Sequence, residues 1–324
     1  MLSAGDGWET TRCEVTLRRG GTVDDHGPVP LGPIHHHREF PADELVDRKG
    51  SHQISVSLPA RNEEDTIGPI VEAIRVALVE TVPVVDEIVV VDDHSTDGTA
   101  DVAVAAGAKV VHAESILPAQ GEGHGKGEAL WKSVYATEGD IIVWCDADIR
   151  DFDDRFVRGL VGPLLVDPEI VFVKGFYDRP VVGVRGGGRV TELVARPLLS
   201  LYFPDLADVV QPLAGEFAAR RAAVEQIPFV EGYGVDLAIV IDVAARFGAE
   251  AIAQVDLDQR VDRNRSLDEL SPQALAVMLA ALRRAGVDVP LSALLRRPAR
   301  PPVAVEITER PPLADLSEYR RRHP

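Results

Sequence analysis

The chain has 324 residues, and its composition of 45% hydrophobic and 27% charged residues is typical of a globular protein, which excludes disorder along the whole chain. Its formal net charge of −18 argues against binding to nucleic acid or to an anionic membrane, because both require a basic surface. The two cysteines, Cys13 and Cys145, cannot form a disulfide framework, and no apolar stretch approaches the roughly 20 residues that span a bilayer. We therefore expect a cytoplasmic protein.

Residues 1–50 show no sustained periodicity and contain three consecutive histidines at 35–37. Three adjacent histidines cannot all face one metal ion from a helix or a strand. The sequence therefore favours a loop, or an early helix at 41–46, over a metal site in this segment.

Strands and amphipathic helices alternate between residues 53 and 145. This alternation predicts an α/β fold with a mainly parallel central sheet flanked by helices on both faces. The short apolar runs that end in acidic residues are typical of buried parallel strands. The predicted strands are 54–58, 87–91, 109–112 and 141–145, and the predicted helices are 63–79, a helix that starts at Thr96 with Ser95 as its cap, and 128–136.

The second half is predicted to be more helical. We expect helices at 156–165, 190–202, 235–247 and 274–285, and strands at 171–176 and 252–257. These patterns divide the chain into an N-terminal extension (1–50), an α/β half (51–180), a helical part of the same domain (181–290) and a Pro/Arg-rich C-terminal arm (291–324), which is predicted to be extended or a loose tail.

The clearest candidate site is Asp146-Ala147-Asp148, directly after the apolar strand 141–145. In an open α/β sheet, ligands bind beyond the carboxyl ends of the strands. Two carboxylates at that position suit Mg²⁺ or Mn²⁺, which would bridge to a diphosphate. A solvated strand end is the alternative, but other strand ends converge here and favour a functional site.

Polar residues also follow the first two strands, at 59–64 and 92–99. The first turn lacks the G-x-G-x-x-G pattern, which argues against a dehydrogenase. Acidic residues in both turns could simply favour helix starts. A carboxylate at the second turn could equally accept hydrogen bonds from a uracil N–H or ribose hydroxyls, and both interpretations stay open.

Two glycine-rich segments are candidate anion sites. Residues 121–128 lack the P-loop spacing, but they deliver Lys126 to a helix start, where a phosphate contact is favoured over a solvated side chain. Residues 186–191 could form a phosphate nest with Arg189 and Thr191, or a plain flexible loop. A basic cluster could complete an anion pocket or form a solvated face; its members are Arg260, Arg263, Asn264 and Arg265.

These motifs together resemble a known family. P-A-x-N-E-E at 59–64, D-D-x-S-x-D-G-T at 92–99 and D-x-D at 146–148 resemble the nucleotide-sugar glycosyltransferases of the GT-A fold. Narrower stretches resemble the glucosyl-3-phosphoglycerate synthases and their relatives, the mannosyl-3-phosphoglycerate synthases, over about residues 50–285. These stretches are 125–131, 186–197, 211–216, 232–235 and 263–265.

The resemblance implies transfer of glucose from UDP-glucose to the 2-hydroxyl of 3-phosphoglycerate, with retention at the anomeric carbon, a divalent metal (Mg²⁺ or Mn²⁺) and a homodimer. Residues 51–180 would then bind the nucleotide sugar and 181–290 the acceptor. Two alternatives remain: a mannosyl transferase that uses GDP-mannose, and a nucleotide-sugar-binding protein without catalytic activity.

Residue by residue, the resemblance implies four groups of site residues. Catalytic residues would be Asp146, Lys126 and Asp236. Nucleotide-sugar contacts would come from Pro59, Ala60, Arg61, Glu63, Asp93, Lys126, Asp146, Ala147 and Tyr233. Acceptor contacts would come from Gly188, Arg189, Val190, Thr191, Arg260 and Asn264. The metal ligands would be Asp148 and Asp262.

Three positions depart from the family pattern. Asp262 stands where the family usually has a metal-binding histidine, and an aspartate remains a suitable ligand for a hard cation. Asp93 replaces a small hydroxyl residue, and Asp236 replaces a glutamate, which shortens the reach of that carboxylate.

Overall fold

The computed structural model describes residues 29–179, 188–261 and 266–323. Its centre is an eight-stranded sheet with the order β1-β9-β6-β7-β5-β2-β3-β4. These strands are β1 (Ile34–His36), β2 (Ile54–Ala60), β3 (Glu87–Asp92), β4 (Lys109–His112), β5 (Ile141–Trp144), β6 (Phe172–Asp178), β7 (Phe217–Arg220) and β9 (Ile252–Gln259). β7 runs antiparallel to both of its neighbours, and the other neighbouring strands of this eight-stranded sheet are parallel to each other.

Helices cover both faces of the sheet. Side chains alternate between the faces along each strand, so that Ile141 and Val143 of β5 belong to one hydrophobic cluster while Ile142 and Trp144 belong to the other. The first cluster packs on α1 (Ala42–Lys49), α2 (Ile67–Ile74), α3 (Thr99–Ala106) and α5 (Arg155–Val166). The second packs on α4 (Lys126–Ala136), α6 (Arg196–Tyr202), α8 (Val235–Phe247) and α9 (Leu267–Arg284). The predicted α/β architecture is confirmed.

Several helices differ from the prediction in where they begin or in their type. The helix expected from Thr96 begins at Thr99, and Asp97, not Ser95, accepts a hydrogen bond from the first helical N–H at 3.0 Å. The helix expected at 63–79 is α2 followed by a π-helical segment, Arg75–Thr81. A second π-helical segment, Thr191–Ala195, precedes α6.

The histidine run forms β1 and the start of a short 3-10 helix, His37–Glu39, at the edge of the sheet, and helix α1 follows. His36 Nε2 and His37 Nε2 lie 3.1 and 2.7 Å from the two carboxylate oxygens of Asp258. Their Nδ1 atoms lie beside the Arg38 backbone N–H and the Arg158 guanidinium, so the Nε2 atoms carry the protons that Asp258 accepts. The run therefore attaches the sheet edge to β9.

The expectation of a loose C-terminal tail is wrong. β10 (Ser292–Leu295) pairs with β11 (Val303–Glu306), and β12 (Glu309–Arg310) pairs with β8 (Phe229–Val230), which follows the short α7 (Arg221–Val224). Leu313 and Tyr319, the latter in α10 (Ser317–Arg322), are buried against the second cluster. Across the described residues, the helices are all too short or too polar to cross a bilayer.

Candidate active site

The ends of β2, β3 and β5 meet at one edge of the sheet because these strands are parallel. β7 is antiparallel to β5 and therefore begins where β5 ends, with Trp144 opposite Phe217. This register places Glu216, the residue before β7, beside Asp146 and Asp148. Residues from four segments of the chain thus meet at one crevice.

Arg260, just after β9, connects three carboxylates at this edge. Its guanidinium lies 3.1 Å from Asp146 Oδ2 and 2.8 Å from Asp148 Oδ1, and it also contacts Glu216 Oε1 and the Tyr177 hydroxyl. Arg260 is 3% exposed and Glu216 is fully buried, so their pairing is screened little by water. Arg260 was predicted to bind the acceptor; the structure places it on the D-x-D carboxylates instead, and its predicted acceptor contact stays a prediction.

Lys126 begins α4 and points into the same cluster. Its Nζ lies 3.0 Å from Asp146 Oδ1 and 3.2 Å from the carboxylate of Asp236, in the first turn of α8. Burial lowers the pKa of Lys126, but the charges of Asp146 and Asp236 more than reverse this effect and hold it well above its ordinary value. Lys126 and Arg260 likewise outweigh the effect of burial on Asp146 and hold its pKa well below the ordinary range. The three predicted catalytic residues therefore form one ion-paired group.

Asp93 ties the second strand end to the glycine-rich loop. Its side chain is nearly buried, and Oδ2 accepts a hydrogen bond from the Gly125 N–H at 3.0 Å, while Oδ1 lies 2.9 Å from His94 Nδ1. Its own N–H donates to the Ala60 carbonyl at 2.8 Å. This carboxylate, predicted to contact the nucleotide, thus also holds the loop that carries Lys126.

The predicted nucleotide-sugar residues of the first strand end lie on the same edge. Pro59 and Ala60 close β2, and Arg61 is exposed directly after it. Burial, and then the charge of Asp148, raise the pKa of Glu63 to about 7. Ala147, between the two aspartates, is also fixed to this segment, since its carbonyl accepts a hydrogen bond from Thr66 Oγ1 at 2.6 Å.

On the opposite side, Tyr233 lies in a 3-10 turn immediately before α8 and is 44% exposed, whereas Asp236 is buried. Burial raises the pKa of Asp236, an effect that the charges of Lys126 and Lys174 oppose.

The predicted acceptor segment begins close to this cluster. A Cβ built on Gly188 would lie 3.1 Å from Arg179 Nη1, and Arg179 Nη2 donates to the Tyr177 hydroxyl at 3.0 Å. The same hydroxyl accepts from Arg260 at 3.0 Å. Arg189 is exposed, Val190 is half-buried and Thr191 is buried. Gly186, Gly187, Asp262 and Asn264 lie outside the described residues.

The sequence analysis assigned no role to Glu216, Tyr177 or Lys174. The stretch 211–216, which ends in Glu216, was among the motifs that carried the resemblance, so a signal for that residue existed. Lys174 Nζ is buried, 5.0 Å from the centre of the Phe217 ring, and has no hydrogen-bond partner among the described residues. Burial lowers the pKa of Lys174 to about 8.

The pair of aspartates has the chemistry that an oxygen-preferring cation needs. Asp146 and Asp148 are 28% and 31% exposed, so their carboxylates are open to the crevice although most surrounding groups are buried. Hard carboxylate oxygens are the preferred ligands of Mg²⁺ and also suit Mn²⁺. The residues present therefore fit a divalent metal.

A mainly parallel sheet with a D-x-D at a strand end, a lysine at a helix start and a polar turn after each neighbouring strand defines a nucleotide-sugar glycosyltransferase of the GT-A type. The model of the family "Glycosyl transferase family 2" matches residues 55–227. A glucosyl-3-phosphoglycerate synthase from Petrotoga mobilis is 46% identical over 308 residues, covering 89% of this chain and 95% of its own. The chain belongs to this glycosyltransferase family and, within it, to the glucosyl-3-phosphoglycerate synthases.

Solved structures agree with this assignment. The mannosyl-3-phosphoglycerate synthase of Rubrobacter xylanophilus matches with a TM-score of 0.81 at 40% identity, over 88% of this chain and 97% of its own. The glucosyl-3-phosphoglycerate synthase of Mycobacterium tuberculosis, solved with Mn²⁺, UDP-glucose and phosphoglyceric acid, matches with a TM-score of 0.80 at 43% identity, over 88% and 99%. The latter enzyme was also solved with UDP and glucosyl-3-phosphoglycerate.

Proposed function

We propose that the protein transfers glucose from UDP-glucose to the 2-hydroxyl of 3-phosphoglycerate and releases UDP. The observation that carries this proposal is the convergence of Asp146, Asp148, Lys126 and Arg260 at the sheet edge, within a family whose solved members hold the same two substrates.

The donor would lie across the ends of β2, β3 and β5. Residues 59–63 and Asp93 would hold the uridine, and Tyr233 and Asp236 would border the sugar. Lys126 would turn from Asp146 towards the diphosphate, because a phosphate group is a stronger partner for an ammonium than a carboxylate that Arg260 already neutralises.

Asp148 would hold the divalent metal, with Asp262 as a further ligand. When bound, the metal neutralises charge that develops on the departing diphosphate. Asp146 and Asp148 orient towards that position because Arg260 fixes both side chains.

The acceptor would lie beside Gly188, directly before the helical segment 189–202. Gly188, Arg189, Val190 and Thr191 would grip its phosphate or carboxylate, supported by Asn264. The hydrogen-bonded series Arg179–Tyr177–Arg260 supports this placement, because Arg179 lies beside Gly188 and Arg260 contacts the D-x-D aspartates.

For the chemical step we favour front-face displacement with retention. The bond from the anomeric carbon to the diphosphate breaks, the bond to the acceptor oxygen forms on the same face, and the hydroxyl proton passes to the diphosphate. Asp146 and Asp236 are paired to Lys126, which makes both weak nucleophiles and argues against a covalent intermediate.

The experiment is to follow UDP release from UDP-glucose with 3-phosphoglycerate and Mg²⁺ or Mn²⁺. Asp148→Ala should lower turnover by about a hundredfold or more, since each 1.36 kcal/mol of lost transition-state stabilisation slows a reaction about tenfold. Asp101→Ala, an exposed position on α3, should match the unmodified protein. Near-normal transfer by Asp148→Ala in the presence of a chelator would refute the proposed role of the metal.

Crossing UDP-glucose, GDP-glucose and GDP-mannose with 3-phosphoglycerate separates the alternatives. We expect the highest kcat/KM with UDP-glucose. A higher value with GDP-mannose would assign the protein to the mannosyl transferases. Thermal stabilisation by UDP without any UDP release from UDP-glucose would instead indicate a binding protein.

A homodimer is proposed from the resemblance, and one feature supports it. Leu193 and Leu201, about two turns apart in the helical segment 191–202, are each 75% exposed, and exposed apolar patches often mark contacts between subunits. Light scattering after gel filtration would test this: a monomer at micromolar concentration would contradict it. The cytoplasmic location stays a prediction from the sequence.

A further inference from the structure

The C-terminal arm reaches back to the glycine-rich loop that precedes Lys126. Arg310, in β12, donates from Nη1 to the Gln120 carbonyl at 2.7 Å and from Nη2 to the Gly121 carbonyl at 3.3 Å. Its Nε and Nη2 also donate to the two oxygens of Glu128 at 2.6 and 3.0 Å. One guanidinium thus connects the start of the loop with the first turn of α4.

This contact is buried. Glu128 is 0% exposed and Arg310 is 9% exposed, and the Arg310 guanidinium lies over the Trp131 ring at 5.4 Å. Lys132 Nζ adds a second cation 2.9 Å from Glu128. A buried Arg–carboxylate pair with two parallel hydrogen bonds has a fixed geometry, so it limits how the loop can move.

Arg310 also holds the turn on the other side of the crevice. Its Nε lies 3.1 Å from Glu231 Oε1, directly before the turn that contains Tyr233. The Glu231 N–H donates to the Thr308 carbonyl at 2.9 Å, and β12 pairs with β8 at residues 229–230. The arm therefore contacts both the Lys126 loop and the Tyr233 turn, which also pack on each other at Gly125 and Gly232.

The loop has little internal stiffness of its own. Glycines occupy 121, 123, 125 and 127. A Cβ on Gly123 would overlap both the Arg310 guanidinium and the Glu128 carboxylate, so the loop follows the arm closely at this point. Lys126 lies two residues before Glu128, and its position depends on where the loop enters α4.

We propose that Arg310 is a positioning residue for the transfer reaction: by fixing the 120–128 loop against the 231–234 turn, it places the Lys126 ammonium for the donor diphosphate. This inference rests on the proposed role of Lys126 towards the donor. A polar arm outside the α/β core thereby takes part in binding UDP-glucose without touching it.

The test measures KM for each substrate, and kcat, in Arg310→Gln. A misplaced catalytic group can reduce the rate by up to about a hundredfold, and we expect kcat/KM for UDP-glucose to fall by about tenfold or more. KM for UDP-glucose should rise, while KM for 3-phosphoglycerate stays within about twofold. A purely structural loss would lower the active fraction and kcat but leave both KM values unchanged.

Arg221→Gln is the matched control. Arg221 is 7% exposed and binds the other end of α4, where it donates to the Val134 carbonyl and, at 2.9 Å, to Thr137 Oγ1. It should lose stability as Arg310→Gln does and keep its KM for UDP-glucose. Equal KM values in the two variants would overturn the proposal.

Lys126→Met separates this inference from the proposed function. We expect Lys126→Met to lower kcat/KM for UDP-glucose. We expect the double variant Lys126→Met/Arg310→Gln to have the same kcat/KM as Lys126→Met, because Arg310 acts through Lys126. Full activity of Lys126→Met would refute the role of Lys126 itself, and independent, multiplying losses would refute the role of Arg310.

Arg310→Lys keeps the proposal testable if Arg310→Gln does not fold. Lysine retains the charge beside Glu128 but lacks the planar fork that reaches both loop carbonyls. It should recover stability while KM for UDP-glucose remains raised relative to Arg221→Lys. A normal KM in folded Arg310→Lys would contradict the positioning role.

Discussion

Lys126 Nζ and Asp146 Oδ1 lie 3.0 Å apart, although Lys126 begins helix α4 and Asp146 follows strand β5. The pair joins the glycine-rich loop to the D-x-D segment. Because Asp236 shares the same ammonium, one cation lies between two carboxylates. Binding of a diphosphate would redistribute this charge.

Replacement of Lys126 should separate donor chemistry from stability. Lys126→Met removes the cation nearest the proposed diphosphate site, and we expect kcat/KM for UDP-glucose to fall by about a hundredfold, the range seen when one charge-stabilising donor is removed. Lys109→Met, which changes a half-exposed lysine at the distant strand β4, should leave it unchanged. A loss of less than about threefold, under 1 kcal/mol of transition-state stabilisation, would contradict the assignment.

Removal of Arg260 should affect folding more than any other change in the site. Arg260→Met leaves the fully buried Glu216 without its guanidinium partner. It also removes the positive charge that offsets the repulsion between the Asp146 and Asp148 carboxylates. Breaking a buried ion pair from one side typically costs about 3–5 kcal/mol, which is the expected fall in the free energy of unfolding.

Urea denaturation of Arg260→Met would measure this loss. Arg38→Met is the control, because Arg38 also pairs with a carboxylate, Asp258, but its side chain is 72% exposed, and such surface pairs contribute at most about 1 kcal/mol. An equal fall in the free energy of unfolding in the two variants would show that the buried Arg260 ion pairs stabilise the fold no more than a surface pair does.

The sheet and its functional edge were largely predictable from the sequence. Strand β4 and helix α8 have the predicted ends, because β4 starts and stops at the polar residues Lys109 and His112 and α8 lies between Gly234 and Gly248. Parallel strands carry their polar turns to one edge, so the meeting of residues 59–63, Asp93 and Asp146 followed from local pattern alone.

The partners of the site residues were not predictable in this way. Strand β7 contains Ala218 and Ala219, which give little strand signal, and only its pairing with β5 brings Glu216 to the edge. Arg260 lies against aspartates 112 and 114 residues away, a contact that no local pattern indicates because it depends on the complete sheet order. The C-terminal arm was misjudged for the same reason, since β12 pairs with the distant β8.

Lys174 should make stability rise with pH in the alkaline range. Its pKa falls from 10.5 to about 8 in the folded chain, chiefly through burial and further through the charge of Lys126. Between these values the unfolded state binds more protons than the folded state, so the free energy of unfolding increases as the pH rises. Below the folded pKa, keeping this buried lysine charged is unfavourable by roughly 3 kcal/mol at most, at 1.36 kcal/mol per pKa unit.

Lys174→Met should therefore raise the free energy of unfolding at pH 7 and abolish the increase between pH 8 and 10. Methionine can still pack on Phe217, which the lysine side chain covers. Urea denaturation at several pH values, with Lys109→Met as the exposed control, measures both effects. Lower stability of Lys174→Met at pH 7 would mean that its attraction to Asp236 and Glu216 outweighs burial.

Gly215 lies so close to the Asp146 carboxylate that a single methyl group should displace it. A Cβ at this position would overlap both oxygens of Asp146, and that side chain cannot turn away without breaking its contacts to Lys126 at 3.0 Å and Arg260 at 3.1 Å. Gly215→Ala should therefore reduce kcat by about a hundredfold through misplacement of reacting groups, while overpacking lowers stability by about 1–3 kcal/mol. Gly162→Ala, whose Cβ would overlap the Phe40 ring beside α5, supplies a comparable crowding away from Asp146. Similar stability losses with a large difference in kcat would place the effect at the carboxylate, whereas equal kcat values would show that Asp146 tolerates a shift of its side chain.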